Sequence, residues 1–149
     1  MRSGICSRID WSLRHHKSSA RFLATCASTF RLSAVRSPAP RLQGSVKPGG
    51  ADFGTLRTDG VFLVDVRGTL ESRDGALIEI TYTGVMDLGP DGYEKFLRGQ
   101  VPATAAVHAA PRFRTAHPDY AWMNRLHWIS IGQATSATPE VLFDVYALK

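Results

Sequence analysis

The chain has 149 residues, of which 18 are Lys or Arg, 13 are Asp or Glu and 44% are hydrophobic. This length fits one domain with an ordinary core, and the composition is too apolar for a chain that is disordered throughout. No run approaches the roughly 18 consecutive apolar residues of a membrane-spanning helix. We therefore expect a folded protein with no membrane partner.

The positive charge is concentrated at the start of the chain. Residues 1–42 carry eight basic side chains against the single acid Asp10, a net charge of +7, whereas the remaining 107 residues carry −2. Nucleic-acid binding needs Lys and Arg clustered on a folded surface. The asymmetry instead indicates a basic arm, and it argues against a nucleic-acid partner.

Residues 1–40 form this arm, which is rich in Arg and Ser and holds both cysteines, Cys6 and Cys26. We expect it to be disordered or to form a loose amphipathic helix through Trp11, Leu13, Phe22 and Leu23. An organelle transit peptide and an extension from a wrongly chosen start codon are both open interpretations. Without cysteines, the rest of the chain offers no thiol for a disulfide, a zinc site or a nucleophile.

From residue 41 onward, short alternating runs separated by Gly, Pro and Asp predict a β domain that covers residues 41–149. Ser72-Arg73-Asp74-Gly75 is the clearest hairpin turn, and 90–98 is a short helix that Gly99 ends. Residues 100–111 read as an Ala-rich loop or weak strand. The predicted strands cover residues 41–46, 53–57, 61–70, 76–85, 113–115, 120–132 and 141–148.

Successive hairpins with one short helix and no long crossovers favour a single antiparallel β-barrel over a sandwich, because closure removes exposed sheet edges. The fold class predicted from the pattern is therefore all-β.

Several blocks of the sequence, taken together, resemble one known family. They are Pro48-Gly49-Gly50-Ala51-Asp52-Phe53, Leu56-Arg57-Thr58-Asp59-Gly60, Leu63-Val64-Asp65-Val66-Arg67, Asp74-Gly75-Ala76-Leu77-Ile78, Pro111-Arg112-Phe113, Tyr120-Ala121-Trp122-Met123-Asn124-Arg125 and Asp144-Val145-Tyr146. In order and spacing they are similar to the domain of unknown function 3237, also called uncharacterised protein family 0311. The resemblance implies an antiparallel barrel of about eight strands in a mostly bacterial, cytosolic protein, and it brings no catalytic residue.

Two departures from the family pattern affect this expectation. The family has strand-forming sequence where the basic arm stands. The sequence therefore leaves open whether one or two barrel strands are missing at the N-terminal side. The family also has an aromatic residue and an arginine shortly before Pro111-Arg112-Phe113, where this chain has Val107 and His108.

Alternation along the strands suggests a candidate site. Asp65 and Arg67 share one strand face, and Trp122, Asn124 and Trp128 share a face of the predicted strand 120–132. If both faces line the barrel, they form with Glu79 and Thr81 an aromatic-walled pocket with a few polar groups, the usual form of a small-molecule site. The pattern does not decide which face is inside.

Each of these residues also has a structural interpretation. Asp65 with Arg67 is more commonly a surface pair, the two tryptophans are more commonly core, and Asn124 can simply satisfy backbone groups. His108, His117 and His127 lack the spacing of a metal site, and no nucleotide-binding or nucleophile motif is present. We predict no metal and no cofactor.

Two functions remain open. One is a cofactor-free isomerase, cyclase or lyase that acts by proton transfer on a small aromatic or carbonyl metabolite, with Asp65 as acid or base and Arg67 and Asn124 orienting the substrate. The other is a non-catalytic barrel that binds a ligand or serves as an oligomeric scaffold. The expected partners are a small-molecule ligand and further copies of the chain, in the cytoplasm unless the arm is a transit peptide.

Overall fold

The computed structural model describes residues 3–5, 14–16, 19–21, 24–26, 29–32, 42–136 and 140–148, and it describes the side chains of residues 42–136 and 141–148. The strands are β1 Ser3–Ile5, β2 Arg14–His16, β3 Ser19–Arg21, β4 Ala24–Cys26, β5 Thr29–Leu32, β6 Leu42–Val46, β7 Gly50–Asp52, β8 Thr55–Arg57, β9 Val61–Ser72, β10 Leu77–Asp87, β11 Thr104–Arg114, β12 His127–Thr135 and β13 Glu140–Leu148. The helix α1 covers Gly92–Leu97, and a 3-10 helix covers Pro118–Arg125.

These strands form one antiparallel sheet that curls into a barrel. Its order runs β1, β13, β12, β11, β10, β9. The long β9 then pairs along its length with β6, β7 and β8, which together form one interrupted strand. A second interrupted strand lies on the far side of these three: β5 pairs with β6, β4 with β7 and β3 with β8. β1 lies beside β5 and β2 pairs with β3, so the short strands β1 and β2 share one position. Counted in this way the sheet has eight strand positions, so the predicted all-β antiparallel barrel is confirmed.

The described segments of the arm are extended and paired. β5 pairs with β6, β1 pairs with β13, and β1 also lies beside β5, so these segments occupy the strand positions that the family pattern left open. The interpretation of residues 1–40 as an arm separate from the barrel stays a prediction. Strand pairing uses backbone groups, so a basic composition does not prevent it. Trp11, Leu13, Phe22 and Leu23 lie outside the described residues, and a targeting role of the arm stays a prediction.

The core lies on one face of the sheet, as the alternation predicts. Phe62, Val64 and Val66 of β9 are buried, and the intervening side chains of that strand face outward. β10 and β11 repeat this pattern, so their buried side chains meet those of β9 inside the barrel. Other core residues include Leu42, Leu56, Leu70, Ile78, Ile80, Tyr82, Val107, Phe113, Met123, Trp128 and Phe143.

The hairpin turn before β10 forms as predicted. The N–H of Gly75 donates to the carbonyl of Ser72 at 3.0 Å, and Gly75 has a φ of 84°, which a residue with a Cβ adopts only at a cost. The predicted helix 90–98 is also present in shorter form as α1.

Of the two interpretations of the Ala-rich segment, the strand is confirmed from residue 104 onward. The segment is part of the continuous strand β11, because pairing with both β10 and β12 outweighs the low strand propensity of alanine. The predicted start of the strand 120–132 is wrong. Residues 118–125 form a 3-10 helix instead of the start of a strand, with Pro118 at its first position and Asp119 in its first turn. Neither helix in the described part of the chain is long and apolar enough to span a bilayer.

Candidate functional site

A groove of about 380 Å³ lies on the outer face of the sheet, over the ends of β10 and β11. We call it the β10–β11 groove. It is lined by Glu79 and Thr81 of β10, by Arg112, Phe113 and Arg114 of β11, and by Asn124, Arg125, Leu126 and His127, which lead from the 3-10 helix into β12. Three of the predicted ligand-binding residues, Glu79, Thr81 and Asn124, therefore line one concave site.

The register of the sheet explains why the groove forms there. Glu79 stands opposite Arg114 and Thr81 opposite Arg112, so these four side chains project from the same face. Pairing of β11 with β12 stops at Ala109↔Ser130, and the last five residues of β11 have no partner in β12. The 3-10 helix and the residues after it supply the other wall of the groove.

One of the three arginines in the groove is paired. Nε and Nη2 of Arg114 lie 2.9 Å and 2.7 Å from Oε2 of Glu79. The two side chains are 79% and 46% exposed, so the pair adds little to stability and serves mainly to neutralise Glu79. Arg112 and Arg125 have no ion-pair or hydrogen-bond partner among the described residues.

Asn124 positions the wall of the groove. Its Oδ1 accepts the N–H of Thr115 at 2.9 Å, and its Nδ2 donates to the carbonyl of Thr115 at 2.8 Å. The Thr115 hydroxyl donates to the carbonyl of Leu77 at 2.7 Å, which extends the link to the start of β10. The amide of Asn124 thus ties the 3-10 helix to the end of β11, in line with the structural interpretation of this residue.

Trp128 belongs to the core, and the partly buried Trp122 packs against it. Trp128 is 2% exposed, its Nε1 donates to the carbonyl of Met123 at 3.3 Å, and its ring packs edge-on against Phe113 at 5.1 Å between centroids. Trp122 lies 5.7 Å from Trp128 between ring centroids. The two rings are not among the residues that line the groove with Asn124, because the 3-10 helix replaces the strand alternation that put the three residues on one face.

Asp65 and Arg67 lie on the outer face of β9, whereas Trp128 lies on the inner face of the sheet. Nη2 of Arg67 is 3.5 Å from Oδ2 of Asp65, and the guanidinium lies over the ring of Phe53 at 5.4 Å from its centroid. Arg67 stands opposite Thr81 in the register, which places it beside the β10–β11 groove. Sequence reasoning correctly paired the two charges, but they do not face the barrel interior.

Asp52 is a titratable group that the sequence analysis did not single out. It stands opposite the buried Val66 in the register of β7 and β9, and its Oδ1 accepts the N–H of Asp65 at 3.0 Å. Burial raises the pKa of Asp52 to about 6, and the charge of Asp65 adds to this rise. The burial of Asp52 is visible only in the fold, because the sequence pattern predicts that an aspartate in a short strand lies at the surface.

A polar network joins the hairpin turn to the 3-10 helix. Ser72 and Tyr120 both donate hydroxyl hydrogen bonds to the exposed Asp74, and these bonds, that of Ser72 first, lower the pKa of its carboxyl. A ring nitrogen of His117 and carboxylate oxygens of Asp74 and Asp119 lie within 4.8 Å of one another. Sequence spacing missed this arrangement, since tertiary folding brings the three residues together. The hydrogen bonds from Ser72 and Tyr120 are sufficient to explain why the Asp74 carboxylate lies there.

Comparison with known proteins supports one family. UPF0311 protein RPA1785 of Rhodopseudomonas palustris is 30% identical over 108 residues, which covers 70% of this chain and 69% of that protein. UPF0311 protein blr7842 of Bradyrhizobium diazoefficiens is 29% identical over 106 residues, with 69% and 68% covered.

Solved structures share the fold. A protein with unknown function from Clostridium acetobutylicum superimposes with a TM-score of 0.81 at 22% identity, covering 99% of this chain and 95% of that one. A beta-barrel like protein from Acinetobacter baumannii gives 0.75 at 20% identity, with 99% and 92% covered. An enzyme from Penicillium herquei gives 0.57 at 16% identity, with 96% and 88% covered.

The family model described as protein of unknown function, DUF3237, matches residues 17–148, so its match includes much of the basic arm. With this match and the UPF0311 relatives, the resemblance seen in the sequence is confirmed: the chain belongs to the DUF3237 family.

Proposed function

We propose that this barrel binds a small organic molecule in the β10–β11 groove. The observation that carries the proposal is the lining of that groove. Leu126 supplies apolar surface, while Thr81 and Arg112 supply polar groups that have no partner among the described residues. Small-molecule sites combine apolar lining with a few convergent polar groups, and a volume of about 380 Å³ falls at the small end of their range.

The test uses a variant that fills the groove. Thr81→Trp places a large side chain in it, and Thr83→Trp places the same side chain on the same face of β10, outside the lining. Benzoate, benzamide and benzyl alcohol are titrated into the full chain, and amide shifts are followed by NMR.

We expect saturable shifts at residues 79–81, 112–114 and 124–127 for at least one probe, lost in Thr81→Trp and kept in Thr83→Trp. Absence of such shifts for all three probes, or equal binding by both variants, contradicts the proposal.

Proton-transfer catalysis is a second candidate, in which the barrel acts as a cofactor-free isomerase, cyclase or lyase. Two observations favour it. The fold is shared with a Penicillium herquei protein described as an enzyme, and Asp65 lies on the outer face opposite Thr83, two register pairs beyond Thr81. Asp65→Asn keeps the size of the side chain and removes its charge. Turnover of a substrate is then expected to fall by about 10² to 10⁴ with binding retained. Unchanged turnover excludes Asp65 as the acid or base.

Self-association is supported by a row of exposed apolar side chains on the outer face. The row crosses four strands. Leu63 of β9 stands opposite Val85 of β10, Val85 stands opposite His108 of β11, and His108 stands opposite Ile131 of β12. An oligomer that buries this row is expected to dissociate in an Ile131→Asp variant. Light scattering after gel filtration measures the change, and a wild-type monomer at all concentrations contradicts the scaffold function.

A further inference from the structure

We infer that the ligand of the β10–β11 groove is an organic anion whose charged group is held by Arg112 and Arg125. This inference rests on the proposed small-molecule function and names the chemical class of the ligand. It starts from the charge of the groove, which has three guanidinium groups and one carboxylate among its lining residues. A neutral or cationic ligand leaves that excess of positive charge unbalanced.

The two unpaired arginines differ from the third in their surroundings. Nε and Nη2 of Arg114 both contact Oε2 of Glu79, so the charges of these two groups balance each other. Arg112, two residues earlier on the same face, has no such partner among the described residues. No carboxylate among the described residues balances its charge.

Arg125 brings a second unpaired guanidinium from the opposite wall. It is the last residue of the 3-10 helix, and the Asn124 bonds to Thr115 fix the backbone immediately before it. The wall that carries Arg125 is therefore held against β11 before any ligand binds. Its guanidinium can form a bidentate bond to a carboxylate or phosphate of a ligand in the groove.

The remaining lining narrows the ligand further. Thr81 stands opposite Arg112 in the register and offers a hydroxyl beside that guanidinium. Leu126 offers apolar contact, which suits a small hydrocarbon or aromatic body attached to the anionic group. The volume of about 380 Å³ limits the ligand to a small one.

The experiment compares benzoate with benzamide, which have nearly the same shape and differ in charge. Both are titrated into the full chain and into Arg112→Gln, Arg125→Gln and the double variant. Arg73→Gln is the matched control, because Arg73 is an exposed arginine outside the groove with no ion pair among the described residues. Phenyl phosphate serves as a second anion.

We expect the wild type to bind benzoate or phenyl phosphate at least about tenfold more tightly than benzamide, since charged hydrogen bonds are stronger than neutral ones. The double variant should reduce this preference to about twofold or less, and Arg73→Gln should keep it. Binding of the anion to the wild type should also weaken as salt increases. This last measurement needs no variant, so the inference stays testable if a substitution impairs folding.

The possible failures are distinct. Benzamide binding in the groove as tightly as both anions overturns the anion inference and leaves the small-molecule function standing. An anion preference that survives in the double variant overturns the role of the two arginines. Absence of groove shifts with every probe overturns both the inference and the proposed function.

Discussion

The side chain of Asn124 bonds both backbone polar groups of Thr115, nine positions earlier in the chain. Oδ1 accepts the Thr115 N–H at 2.9 Å and Nδ2 donates to the Thr115 carbonyl at 2.8 Å, which is the pairing that a neighbouring strand otherwise provides. The groove wall thus depends on one amide.

Replacement of Asn124 by Ala is expected to lower the free energy of unfolding by about 1–3 kcal/mol, because two backbone groups lose their partners. Urea denaturation measures this change. The exposed Gln133 gives a control, since Gln133→Ala removes an amide for which no hydrogen bond is described. A loss within about 0.5 kcal/mol of the control contradicts a positioning role for Asn124.

Asp52 gives a prediction about pH. Its folded pKa of about 6 lies above the ordinary value of 3.8, so the folded state favours the neutral carboxyl. Stability from this group is full below about pH 4 and is lost as the pH rises through 6. Asp52→Asn keeps an acceptor for the N–H of Asp65 and removes the charge.

That variant is therefore expected to be more stable than the wild type at pH 7.5, by up to about 3 kcal/mol, and equally stable at pH 4. Thermal melts at both pH values test the difference, with the exposed Asp144→Asn as control. An equal change in melting temperature at the two pH values is evidence against the raised pKa.

The strands of the arm predict the effect of truncation. Removal of residues 1–32 takes away β1 through β5 and leaves the outer edges of β13 and β6 unpaired. Exposed sheet edges pair with other chains, so the shortened protein is expected to aggregate or to lose stability. Gel filtration and urea denaturation follow the two effects. A stable monomer with wild-type stability instead favours an arm that is separate from the barrel.

The predicted site residues differ in their contribution to stability. Trp128→Ala is expected to cost about 3–5 kcal/mol, because it leaves a cavity beside Phe113 and Met123. Asp65→Asn, in an exposed surface pair, is expected to change stability by less than about 0.5 kcal/mol. Denaturation of the two variants under the same conditions compares them directly, and similar losses contradict the placement of Asp65 outside the core.

Elements that depend on neighbouring residues in the sequence were predicted better than those that depend on tertiary contacts. The alternation in β9 and β10 and the Asp74-Gly75 turn were readable, because they depend on neighbours in sequence. The full length of strand β11 and the 3-10 helix were not, since pairing on both sides stabilises one and packing of Tyr120 and Met123 stabilises the other. Alternation also shows that a strand has two faces without showing which one is inside.

The candidate site was recovered in part for the same reason. Glu79 and Thr81 were chosen from one strand, and both line the groove. Arg112 and Arg125 lie more than 30 residues along the chain from them, and only the register of β10 with β11 and the position of the 3-10 helix bring them together. Such long-range placement is not encoded in any local pattern.

The ladder between β11 and β12 ends at Ala109↔Ser130, two residues before Pro111, although β12 continues through Ile129 and Trp128 to His127. Proline has no N–H, and in sheets it is confined to places where no ladder bond is needed. Pairing of β11 with β10 continues past Pro111 to Arg114, so the missing N–H does not interrupt the ladder on that side. Pro111 thereby keeps β11 and β12 from joining further, and a residue at that position able to donate is expected to extend the sheet and narrow the groove.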